Sequence, residues 1–304
     1  MSKNFLTLMD YTEKDIRKIL DTAKEIKSGD FEGGLKGKTL AMLFEKTSTR
    51  TRVSFEVAMH QLGGHAIFLD SRATKLAEKE TLKDTIRVLE RYCDAIMARV
   101  YKHSDLEEMA EVSKVPIING LSDLYHPCQT LADLLTVIEK RGGVEDLKVV
   151  FIGDCAFNMA RSTMIGFSKL WANVFLVCPD KAKYMPDPEF VENVRKYVKG
   201  NIRIENDPVK GVKDADVVIT DKWVSPGEKD NLEKRMKDLK RYQVNSELVK
   251  HAKQDFVFLH CLPASRSHEV TDDVIDSKNS MVFDAAENRL HTEKALLLYL
   301  LGEE

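Results

Sequence analysis

Two hydrophobic periods alternate along this chain. Short runs in which nearly every position is apolar, as at 40–44 (Leu-Ala-Met-Leu-Phe), predict strands covered on both faces. Between them apolar residues return every three to four positions, the period of a helix with one buried face. This pattern puts strands at 40–44, 66–69, 95–99 and 116–118, and helices at 13–27, 50–62, 80–92 and 106–112. Leu131, Leu134, Leu135 and Ile138 mark a longer helix over about 128–140, which stops at Arg141-Gly142-Gly143, a candidate hinge. A second series follows, with strands at 148–152, 174–177, 202–204, 217–220, 256–260 and 281–283. Its helices include 188–197 and 246–253, and a last apolar helix runs over 292–301.

Alternation of this kind builds parallel sheets layered with helices, and 304 residues exceed one ordinary domain. The expected fold class is α/β, with two similar-sized parallel-sheet domains, residues 1–142 and 143–304, linked by long helices and separated by a cleft. Ligands in such sheets meet the carboxyl ends of strands, so the polar residues that follow each strand are the candidates for chemistry.

Composition removes several alternatives. A net charge of −3, with basic and acidic residues interspersed, offers no surface for nucleic acid, and no apolar run is long enough to span a membrane. The first ten residues are short and mixed in character, unlike a secretory signal. The five cysteines (Cys93, Cys128, Cys155, Cys178, Cys261) are odd in number, scattered and free of any Cys-x-x-Cys pair. Reduced thiols, a cytoplasmic location and no structural zinc are expected. Gly37-Lys38-Thr39 precedes its strand, and Glu32 stands where a P-loop needs its first glycine. Gly153-Asp154 lacks the further glycines of a dinucleotide loop, so no nucleotide cofactor is expected.

The segment Ser48-Thr49-Arg50-Thr51-Arg52 links the first strand to a helix start. Hydroxyls alone would serve as caps, but two guanidiniums among unpaired helix N–H groups suit a small anion such as phosphate. Arg99 ends its strand, as a salt-bridged rim residue or as a second cation for the same ligand. His126 and Gln129 flank Pro127 at a helix start, either as caps or as donors to an oxygen where charge develops. Asp221 and Ser225 follow the strand at 217–220, in a turn or as a grip for an ammonium group. Cys261 follows His260 at another strand end, as a small hydrophobe or a perturbed thiol. Arg289 lies after the run at 281–283.

Together these segments resemble the aspartate/ornithine carbamoyltransferase family along nearly the whole chain. Phe44-Glu45-Lys46-Thr47-Ser48-Thr49-Arg50-Thr51-Arg52 is similar to its carbamoyl phosphate signature. Ala98-Arg99-Val100, His126-Pro127-Cys128-Gln129, His260-Cys261-Leu262-Pro263-Ala264 and Glu287-Asn288-Arg289-Leu290-His291 recur in the family's order. Cys261 in the fourth motif resembles the ornithine branch. The resemblance implies carbamoyl transfer from carbamoyl phosphate to ornithine without metal or organic cofactor. The alternatives are another amine acceptor such as putrescine, or a non-catalytic homologue.

It also implies roles. Ser48, Thr49, Arg50 and Thr51 would hold the phosphate. Arg99 and His126 would polarise the carbamoyl oxygen, Gln129 would orient the carbamoyl amide, and Cys261 and Leu262 would contact the same ligand. Arg289 would reach carbamoyl phosphate from the second domain, although the last helix packs back on the first. Asn158, Asp221, Ser225 and Pro226 would serve ornithine, with Cys261 a catalytic partner to its amine. Active sites would lie at the interfaces of a homotrimer or multiple of trimers, with Lys75 reaching a neighbouring subunit's phosphate. Three departures from the family pattern fall on the acceptor side: Ser225-Pro226-Gly227 replaces Ser-Met-Gly and loses a backbone N–H, the loop over 153–158 is one residue longer, and Ser265 and Ser267 flank Arg266 where a His and a Gly are more usual.

Overall fold

A computed structural model describes residues 4–31, 33–71, 80–224 and 232–302. The chain forms two compact units, one of Met1–Leu135 with Glu287–Glu304, the other of Thr136–Ala286. The α/β expectation holds, since each unit carries its own parallel sheet, of four and five strands respectively.

The first sheet contains β1 (Thr39–Phe44), β2 (His65–Asp70), β3 (Ala95–Arg99) and β4 (Ile117–Leu121) in the order β2-β1-β3-β4. Ala41, Leu43, Ile96, Ala98 and Ile117 pack with Ile86, Leu106 and Met109 from two covering helices. The second contains β5 (Lys148–Ile152), β6 (Asn173–Val177), β7 (Ile202–Glu205), β8 (Val217–Thr220) and β9 (Val257–His260) in the order β7-β6-β5-β8-β9. Its core joins Val150, Ile152, Val218 and Phe258 to Val212, Leu248 and Val274. In each unit the strand order reverses direction beside the first strand, between β1 and β3 and between β5 and β8. Loops diverge there, so the carboxyl ends of these strand pairs open a crevice.

One device is used twice. Asp94, just before β3, accepts the Thr39 N–H of β1 at 2.8 Å and faces Lys38 Nζ at 3.3 Å. Asp216, just before β8, accepts the Lys148 N–H of β5 at 2.9 Å and binds Arg141 Nη2 at 2.8 Å and Lys253 Nζ at 2.7 Å. Each carboxylate satisfies the opening amide of the neighbouring strand and so fixes parallel register at the end away from the crevice.

The strand expected at 281–283 is instead the start of a helix, Val282–Leu301, preceded only by a bridge between Phe258 and Ser280. Three apolar residues cannot separate strand from helix by period, and the Asp284-Ala285-Ala286 that follows favours helix. The final helix thus begins ten residues before its expected start at 292. Its Tyr299 hydroxyl donates to Asp15 at 2.5 Å, inside the first unit. The helix expected at 246–253 shortens to Ser246–Val249, capped by the Asn245 side chain. No helix among the described residues is long and apolar enough to cross a membrane.

Candidate active site

The signature after β1 folds as capping and anion chemistry together. Ser48 is the N-cap of the helix Thr49–Gln61, and its Oγ accepts the Thr51 N–H at 3.3 Å. Arg52 turns away: it pairs with Glu56 at 2.9 Å and its guanidinium lies 3.7 Å from the centre of the Phe68 ring. The pair of arginines expected at the anion site therefore splits, with Arg52 bracing the helix against β2. Thr49 is exposed and Arg50 half-buried in the first helical turn, where N–H groups and dipole favour an anion.

Thr51 is the buried centre of the first unit's cluster. Its Oγ1 accepts Arg99 Nη1 at 3.4 Å and Arg289 Nη2 at 3.3 Å. Arg99 comes from the carboxyl end of β3, across the crevice from the β1 loop. Arg289 comes from the last helix, and its Nη1 donates to Gln129 Oε1 at 3.1 Å, while Gln129 Nε2 donates to Asp133 Oδ1 at 2.9 Å. Arg289 was expected to reach in from the second domain; it belongs to the first unit, because the helix that bears it packs there from Glu287 onward.

His126 is buried just ahead of the helix Pro127–Arg141. Burial, then the charges of Arg289, Arg99 and Arg50, hold its imidazole well below the usual histidine range. It is therefore a neutral hydrogen-bonding group beside cations rather than a further cation. We expect a ¹⁵N NMR titration to find it neutral at pH 6.5, where a free imidazole is half protonated. A midpoint at or above 6.5 would contradict the placement.

The second unit gathers another group at its crevice. Cys261, directly after β9, donates its thiol to Asp221 Oδ1 at 3.0 Å, directly after β8. Leu262 adopts a left-handed backbone (φ 54°), a strained conformation for a branched side chain, ahead of a cis bond to Pro263. The turn is held from behind: His260 Nδ1 accepts the Leu262 N–H at 2.8 Å, and its Nε2 faces Glu269 Oε1 at 3.3 Å. Glu269 in turn accepts the Ser265 N–H.

The loop after β5 turns at Gly153 (φ 130°), where a Cβ would come within 3.2 Å of Trp223 Nε1, and leads to Asn158 at the start of the helix Asn158–Lys169. Arg235 ties this loop to the one after β8, through Asp154 and the Trp223 carbonyl. Lys75, Ser225 and Pro226 lie outside the described residues. Asp221, His260 and Cys261 have ligand atoms within 4.8 Å of one another, a spacing a metal could use. His260 Nδ1 already accepts the Leu262 N–H and the Cys261 thiol already donates to Asp221, so two of these contacts are made within the protein itself.

Sequence reasoning assigned no role to Asp133, Glu293, Glu269 or Arg235. A signal existed for two of them. Asp133 follows Gln129 and Glu293 follows Arg289 by four residues on helices, the spacing that brings side chains together. Nothing in the sequence pairs Glu269 with His260 or Arg235 with Asp154, since those contacts depend on how the loops close.

Similarity to known proteins agrees with this arrangement. The sequence model described as "Aspartate/ornithine carbamoyltransferase, carbamoyl-P binding domain" matches residues 3–139. The one described as "Aspartate/ornithine carbamoyltransferase, Asp/Orn binding domain" matches residues 145–300. The chain belongs to the aspartate/ornithine carbamoyltransferase family. Within that family it is 52% identical over 307 aligned positions to a Pyrococcus abyssi protein named ornithine carbamoyltransferase, covering 99% of this chain and 96% of the relative. A Bacillus subtilis protein of the same name is 46% identical, over 98% of this chain and 94% of its own length. The solved ornithine carbamoyltransferase of Pyrococcus furiosus superposes with a TM-score of 0.93 at 51% identity, covering 100% of this chain and 98% of that one.

Proposed function

We propose that the chain transfers the carbamoyl group of carbamoyl phosphate to the side-chain amine of L-ornithine, giving L-citrulline and phosphate. The observation that carries this reading is the cluster of Arg99, Arg289 and Gln129 around Thr51, beside a neutral His126 and the helix start at Ser48. It combines an anion cradle with donors for a polarised carbonyl. Ser48, Thr49, Arg50 and Thr51 take the phosphate oxygens. Arg99 and His126, with Thr51, face the carbamoyl oxygen, and Gln129 faces the carbamoyl amide. Arg289 serves the same ligand, as do Cys261 and Leu262.

The neutral amine of ornithine attacks the carbamoyl carbon. Negative charge then gathers on the carbamoyl oxygen, where the Arg99 guanidinium and His126 stabilise it. The C–O bond to phosphate breaks, phosphate leaves with the electron pair, and the proton shed by the amine balances it as HPO₄²⁻. Cys261 orients that amine, while Asn158, Ser225 and Pro226 hold the amino-acid end, with Asp221 on its ammonium. A thiol hydrogen-bonded to a carboxylate is a poor covalent nucleophile, which supports a role in orientation. The reading extends to a cytoplasmic homotrimer, or multiple of trimers, in arginine metabolism, with Lys75 of each subunit at its neighbour's phosphate.

The deciding experiment is a panel of acceptors with carbamoyl phosphate: ornithine, putrescine, lysine and aspartate. Citrulline from ornithine should form with the highest kcat/KM. Preference for putrescine would reassign the acceptor, and absence of product from all four would leave a binding homologue.

A further inference from the structure

An anion site needs positive potential, yet this one holds a buried carboxylate against one of its arginines. Glu293, 1% exposed, accepts Arg289 Nε at 2.8 Å and Nη2 at 2.6 Å through the same Oε1, one helical turn away. Thr51 and Gln129 take Nη2 and Nη1 at 3.3 and 3.1 Å, so the guanidinium plane is fixed along two edges. Stability does not account for the arrangement. A buried ion pair roughly breaks even against apolar side chains of the same size. Burial also raises the Glu293 carboxyl above its usual range, with the Arg289 charge opposing it.

We infer that Glu293 is a positioning residue that aims Arg289 and tempers its charge, so that phosphate is held firmly enough to react and weakly enough to leave. Gln129 receives the matching support from Asp133 at 2.9 Å, also four residues along its helix. The inference rests on the donor-site reading of Arg289, and it explains a residue that reading does not use. Product phosphate is a dianion facing Arg50, Arg99 and Arg289. Without the Glu293 charge beside Arg289 its release would be slower.

Calorimetric titration of the full chain with inorganic phosphate, at constant ionic strength, tests this directly. Glu293→Gln keeps an oxygen that accepts from the guanidinium and removes the negative charge, so the phosphate Kd should fall about fivefold or more. In steady state kcat and the KM for ornithine should fall together, because slower release acts after the chemical step and leaves kcat/KM unchanged. Glu293→Leu removes both functions, and its phosphate Kd should rise about tenfold or more. A glutamine variant that binds phosphate as the parent does, or more weakly, overturns the inference whatever the leucine variant does. A parent that binds no phosphate overturns the donor-site reading with it. Failure of the acceptor panel with the phosphate response intact overturns only the proposed reaction.

Discussion

Arg50→Ala should lower kcat/KM for carbamoyl phosphate about a thousandfold, the loss expected when a charge-assisted anion contact that tightens in the transition state is removed. Arg50 sits in the first turn of the helix Thr49–Gln61, capped by Ser48. Arg52 is engaged with Glu56 and Phe68 and cannot take its place without breaking that brace. The side chain is half-buried and outside the hydrophobic core, so thermal unfolding should move by no more than a few degrees. The check is a carbamoyl phosphate saturation curve beside a melting curve. A normal saturation curve would remove Arg50 from the site. Arg52→Ala is the matched control, and its effect should be mainly on stability.

The second large effect belongs to the other unit. Asp221→Ala should raise the KM for ornithine about a hundredfold and lower kcat, while inorganic phosphate binds as before. Asp221 is the acceptor for the Cys261 thiol at 3.0 Å, so its loss breaks that hydrogen bond and removes the nearby negative charge that would hold an ammonium group of the substrate. Asp221→Asn should recover orientation in part without recovering charge. An unchanged ornithine KM in both variants would place the ammonium of ornithine elsewhere. The contrast with Arg50 matters as much as either number, because one variant should lose the donor and the other the acceptor.

Much of this was legible in the sequence, for physical reasons. Strands buried on both faces announce themselves as apolar runs, and eight of the nine observed strands match expected runs closely in extent; β4 matches a run at 116–118 but extends to Leu121. Ser48, Asp221 and Cys261 sit one to four positions beyond Phe44, Thr220 and His260, and Arg99 closes its own strand, so locating the strand ends located these residues. What stayed hidden depends on long-range packing. The division of labour between Arg50 and Arg52 needed Phe68 on the neighbouring strand. The allegiance of Arg289 needed a helix beginning at Val282 rather than a strand at 281–283. The support of the Leu262 turn by His260 and Glu269 joins residues whose spacing carries no periodic signal.

The placement of Arg289 has a consequence in time. Thr51, Arg99 and Gln129 are all translated before residue 136, and a sheet with its helices could already gather around them. The guanidinium that bonds both Thr51 and Gln129 is 160 residues further on, after the whole of Thr136–Ala286. On the ribosome the cluster around Thr51 is thus the last part to be finished, and the whole of the second unit has been made by the time Arg289 can join it.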